Sequence, residues 1–131
     1  MITYNDIYEV SRKERYTDQL QPLRKNFINE VSLYLKEKKQ IASKQEDSFS
    51  DIIYKTKKQL ENAITLFKEL MSRRRKKILN LVLIASETGI SKQDFENMLT
   101  FEKELFEQLM KCIDVSDKKL NEMLANQDNR D

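Results

Sequence analysis

The sequence predicts an all-α protein, an elongated bundle of four to five helices around one long central helix. Three observations carry this expectation. Apolar residues recur at intervals of three and four in separate segments, which is the period of an amphipathic helix and not of a strand. The 131 residues include one glycine and one proline, too little turn chemistry for a sheet, a dinucleotide-binding unit or a β-sandwich. The longest periodic stretch, from about Phe49 to Ser86, contains neither of them.

That stretch predicts the central helix. Its apolar residues fall at Phe49, Ile52, Ile53, Leu60, Ala63, Ile64, Phe67, Leu70, Met71, Ile78, Leu81, Val82 and Ala85. At 1.5 Å per residue it reaches roughly 55 Å, longer than a small domain is wide. Ser50 offers an N-cap, and Gly89 supplies the stop just beyond the far end. The helix also carries the densest charge run of the chain, Arg73-Arg74-Arg75-Lys76-Lys77. Successive residues turn about 100° on a helix, so the run encircles it. Arg73, Lys76 and Lys77 share one side, while Arg74 falls on the apolar stripe between Leu70 and Ile78. From Ile78 to Ala85 the helix is apolar nearly all round, which predicts burial on several sides, by the chain itself or by another subunit. The run is far too short to span a membrane.

The other elements follow in order. A first helix is expected from about Tyr4 to Thr17, opened by a capping box of Thr3 with Asp6, with Tyr4, Ile7, Tyr8 and Ser11 on one face. Cations in its last turns suit the helix dipole. Pro22 marks a connector. A second helix runs from about Arg24 to Ile41, with Phe27, Val31, Tyr34 and Leu35 facing the core, and residues 43–48 read as a loop. Ser91 with Asp94 caps a short helix near Lys92–Met98. After a break, a last helix runs from about Phe101 to Leu124. Leu105, Phe106, Leu109, Ile113, Leu120 and Leu124 form its apolar side. Residues 114–117 read as a weak point within it. The domain therefore spans 1–124, and the polar residues 125–131 read as a frayed tail or the start of a linker.

Composition excludes several kinds of chemistry. Histidine is absent and Cys112 is the single cysteine. This removes most zinc sites, histidine acid–base catalysis and cysteine–histidine nucleophiles. One glycine cannot build a phosphate loop. Carboxylates are scattered among lysines on helical faces, as solvated surfaces usually are. We therefore expect no enzyme, no cofactor and no metal. A net charge of +2 does not demand a nucleic-acid partner. The opening Met-Ile-Thr-Tyr-Asn-Asp is no signal or transit sequence. The lone cysteine suits a reduced, intracellular and cytoplasmic setting.

The basic run admits three uses. It can be solvated surface with one buried arginine. It can make protein contacts, with Arg74 and Lys77 reaching carboxylates on the first helix or on a partner. It can touch DNA, although no aromatics interleave with it in sequence as single-strand grooves require. Glu14 is the expected partner of Arg74, because the first helix should lie against the long one. Tyr4 and Tyr8 lie one turn apart and suit core packing, or an interface if exposed. Cys112, beside Leu109 and Ile113, is expected to be a buried, inert thiol.

Three pieces of the chain, read in order, carry a resemblance. The first is Tyr4-x-x-Ile7-Tyr8-x-x-x-Arg12-x-Glu14-Arg15 with Leu20-x-x-Leu23-x-x-x-Phe27. The second is Leu60-x-Asn62-Ala63 with Arg74-x-x-Lys77-Ile78. The third is Leu99-Thr100-x-Glu102-x-x-Leu105-Phe106-x-x-Leu109. Together they resemble the helical domain of archaeal GINS subunits of the type in which that domain comes first, related to the Sld and Psf subunits. The likeness covers nearly the whole chain. It implies a non-enzymatic scaffold of DNA replication that joins the MCM helicase to a RecJ-like or Cdc-type fork protein. It further implies assembly with itself or with another GINS subunit, and a nucleoid-associated place in an archaeal cell. Such subunits usually add a small β-rich domain, which would begin about where residue 131 lies.

The alternative reading is a small basic helical module that binds nucleic acid or regulates. For the scaffold, Ile78, Leu83 and the segment from Phe101 to Leu124 are the expected interface, since a monomer would leave apolar surface wet.

Overall fold

A computed structural model describes residues 1–44 and 51–128. Five helices and no strand occur among them: α1 (Tyr4–Tyr16), α2 (Phe27–Ala42), α3 (Asp51–Thr88), α4 (Lys92–Glu96) and α5 (Thr100–Asp128). The all-α bundle around a long central helix is therefore observed. The expected cap at Ser50, Phe49 and most of the 43–48 loop lie outside the described residues.

α3 has 38 residues, about 57 Å of helix, and α1, α2 and α5 all pack on it. Its buried positions, Ile53, Ala63, Leu70, Arg74, Ile78 and Val82, follow the stripe read from the sequence, while Ile52, also expected there, is 73% exposed. α1 begins with the expected capping box, in which Thr3 and Asp6 bond each other's backbone N–H groups at 3.2 and 2.8 Å. It runs in the same direction as α3. Ser11 Oγ donates to the carbonyl of Leu66 at 3.4 Å, and Glu14, one turn on, meets Arg74 and Lys77. α2 returns antiparallel, with Phe27 stacked near Phe67 (ring centroids 6.4 Å apart) and Tyr34 at the level of Gln59.

α3 ends where the left-handed backbone of Gly89 (φ +83°) lets the chain turn, its N–H closing on the carbonyl of Ala85 at 3.2 Å. Ser91 caps α4 by accepting from the Asp94 N–H at 3.1 Å. The chain thus folds back along α3, so that α5 starts level with Arg74 and then runs in the direction of α3.

Two apolar clusters result. One joins Ile2, Ile7, Phe27, Val31, Tyr34, Ala63 and Leu70 across α1, α2 and the first half of α3. The other joins Leu20, Ile78, Val82, Met98 and Phe106 across the connector, the second half of α3, the α4–α5 turn and α5. Phe95 meets Phe106 edge-on at 5.9 Å within the second.

Several expectations are corrected. α2 starts at Phe27, because Arg24 to Phe27 forms a separate turn (3.0 Å) before the helix. Residues 114–117 do not interrupt α5, and 125–128 remain helical. Local polarity is tolerated because residues 114–126 are all exposed. Tyr8 is 44% exposed and outside the core. On α1 the face that meets α3 is Ile7, Ser11 and Glu14, which turns Tyr8 away. Cys112 is exposed, since Leu109 and Ile113 take the side facing α3 and none of the described residues covers the opposite one. As expected of a single chain, the Ile78–Ala85 run is only partly covered. Ile78 and Val82 are buried, while Leu79, Leu83 and Ile84 are 43, 61 and 42% exposed. Leu120 and Leu124 are likewise exposed.

Candidate functional site: a buried ion network and the surfaces around it

Between the two apolar clusters lies a polar junction. Arg74 is held there by its place on the stripe, one turn after Leu70 and one before Ile78, all three with no exposure. A guanidinium has five N–H donors, and five bonds use them. Nε and Nη2 form a two-point contact with Glu102 at 3.0 and 2.7 Å. Nη1 donates to Glu14 at 2.7 Å and to the carbonyl of Gln21 at 2.6 Å. Nη2 also donates to the carbonyl of Asn97 at 3.0 Å. Burial alone would lower the pKa of Arg74. The bonds and charge of Glu102, followed by those of Glu14, outweigh it and raise the value. The cation stays charged.

Lys77, one turn along, reaches the second oxygen of Glu14 at 2.6 Å. Its ammonium also donates to the carbonyls of Glu14 and Thr17 at 2.8 and 2.6 Å and lies 3.1 Å from that of Gln19. Carbonyls in the last turn of a helix have no partner within it, and cations are favoured there. Lys77 therefore closes α1 from a different helix.

The carboxylates are as fully used. Glu14 also accepts from the N–H of Gln21 at 3.1 Å. Glu102 accepts from the N–H of Leu99 at 2.8 Å, the reach-back that steadies the start of α5. Asn97 donates to the carbonyl of Leu20 at 3.0 Å. Two cations and two anions thus join α1, the connector, α3, the α4–α5 turn and α5 in a neutral, buried set. No donor of Arg74 is left for a substrate, so what this arrangement does chemically is hold elements in place. Comparison with protein families, with curated proteins and with solved structures finds no match.

The sequence-predicted residues separate into three groups. Glu14, Arg74 and Lys77 meet in the network. Phe27, Ile78 and Phe106 are buried in the two clusters, and Tyr4 is half-buried beside the first. Tyr8, Arg12 and Leu83 are on the surface, with Arg12 bonded to Glu9 at 3.3 Å. Sequence reasoning missed Glu102 as the second partner of Arg74. The available signal was a glutamate three residues after Leu99, where a helix begins. It also missed Leu20, which is 2% exposed.

Two apolar surfaces remain. Leu79, Leu83 and Ile84 stand exposed near the end of α3, and every residue of α5 from Asp114 to Asn126 is exposed, among them Val115, Leu120, Met123 and Leu124. Among the described residues no helix is long and apolar enough to cross a membrane.

Proposed function

We propose that this chain is a non-catalytic scaffold subunit of a GINS-like assembly in DNA replication, working inside the cell. It joins an MCM helicase to a RecJ-like or Cdc-type fork protein through helix-mediated subunit contacts. One observation carries the reading. The three stretches that resemble GINS subunits lie far apart in sequence, yet Glu14, Leu20, Arg74, Lys77, Ile78, Glu102 and Phe106 gather at a single junction. That residues from all three stretches share one packing unit supports this reading. The mode of action is supported by the apolar residues left exposed on α3 and along α5, which suit burial against another subunit.

The test is to mix the chain with a second GINS-type subunit, and then with an MCM helicase, and follow co-elution. The scaffold reading expects a stable complex that persists at high salt, with Leu83→Glu weakening it while the chain stays folded. Separate elution of all components contradicts it.

A further inference from the structure

The basic run has no aromatic neighbours in sequence, but the fold supplies them. α1 lies beside α3 so that Arg15 and Thr17 share a groove of about 430 Å³ with Ser72, Arg73 and Lys76. A smaller recess continues from it along α1 past Tyr8, Arg12 and Tyr16. Tyr8 and Tyr16 lie two turns apart, about 12 Å along the helix, and are 44 and 73% exposed. The guanidinium of Arg15 sits 5.5 Å from the ring centroid of Tyr16, which leaves the ring as a platform backed by a cation.

The charges favour an anion, though weakly. Glu14 and Lys77, at the floor of the groove, neutralise each other. Arg15, Arg73 and Lys76 then face Asp18 and Glu69, while Arg12 is shared with Glu9. A net of about one positive charge gives little pull on a duplex, whose recognition rests mainly on phosphate neutralisation. Exposed rings beside cations match the other way of holding nucleic acid, in which unstacked bases lie on aromatics and cations follow the backbone.

We propose that the α1–α3 groove binds single-stranded nucleic acid, with Tyr8 and Tyr16 as stacking platforms and Arg15, Arg73 and Lys76 as phosphate contacts. This does not depend on the scaffold proposal, whose test reads complex mass and not oligonucleotide affinity.

The experiment measures fluorescence anisotropy of labelled oligothymidylate, oligouridylate and a duplex of equal length with the full chain at low salt. Both single strands should bind more tightly than the duplex. Unequal binding of the two single strands shows which of these two nucleic acids the groove favours. Tyr16→Leu and Tyr8→Leu should each weaken binding about fivefold or more, the effect of losing one stacked base, and Tyr16→Phe should retain it. Lys76→Gln should flatten the salt dependence by about 0.7 in log–log slope, one phosphate's worth on a single strand. Lys118→Gln, on the far half of α5, should change nothing. The rings are exposed, so unchanged melting temperatures separate lost binding from lost fold. No single-strand binding at low salt, equal affinity for the duplex, or equal binding by Tyr16→Leu and Tyr16→Phe overturns the proposal. So does a loss of subunit association on Tyr16→Leu with oligonucleotide binding intact, which would mark the surface as protein-facing.

Discussion

At the scale of residues, Arg74 decides most. Removing one member of a buried charge set leaves the others unpaired, which typically costs about 3–5 kcal/mol. Arg74→Ala should therefore lower the melting temperature by about 10 °C or more, whereas the exposed neighbour Arg75→Ala should leave it unchanged. Equal shifts for the two would contradict the network. Arg74→Lys should not rescue, since an ammonium cannot make the two-point contact with Glu102. The Arg74–Glu14 pair was legible in the sequence: a cation on an apolar stripe needs a carboxylate, and helix one was the neighbour. Glu102 was not, because a helix start gives no sign of which distant cation it will face. Tyr34 makes a different prediction. Its hydroxyl is buried and has no hydrogen-bond partner among the described residues. Burial first, then Tyr4 and Glu37, raises its pKa above the usual 10.0. The unfolded chain then loses this proton before the folded one as pH climbs past about 10, so stability falls with rising pH in that window. Tyr34→Phe should be neutral or stabilising by about 1 kcal/mol near neutral pH, and should reduce the alkaline loss in urea titrations. Marked destabilisation at neutral pH would show that the hydroxyl has a partner.

At the scale of elements, the uninterrupted α3 organises the chain, and its end depends on one residue. Gly89 has room for a side chain, nothing lying within 4 Å of a added Cβ, but its φ of +83° disfavours one. Gly89→Ala should cost about 1–2 kcal/mol, measured by urea denaturation; no loss would mean the turn adapts freely. α5 is two helices in physical terms. Its first half is held by Glu102, Phe106 and Ile113, and in its second half residues 114–126 are all exposed. Ending the chain after Asp117 should change stability by less than about 1 kcal/mol, and a large loss on thermal melting would mean the projecting half supports the fold. Helices α1, α3 and α4 were legible because caps, stripe and stop signals agree. The continuity of α5 through residues 114–117 was not, because a solvated helix tolerates polar residues that read as a break. Cys112 and Tyr8 were misplaced for a related reason: periodicity gives the spacing of a face, and the packing partner decides which neighbours share it.

At the scale of the molecule, two apolar clusters are joined by one neutral ion network along a single helix, and apolar residues beyond them stay exposed. A self-contained monomer would not need Leu79, Leu83 and Ile84 on one helix and Leu120, Met123 and Leu124 on another. Association through these residues, with a second copy or a related subunit, is the central claim behind the proposed scaffold. It is tested most directly by light scattering on a sizing column, with the full chain alone and mixed with a subunit of a GINS complex, at low and high salt. The account predicts a mass above that of one 15.7 kDa chain at both salts, falling to the single-chain value for Leu83→Glu with its helical signal and melting temperature retained. A wild-type chain that elutes at its single-chain mass at every concentration and does not join that subunit would contradict it.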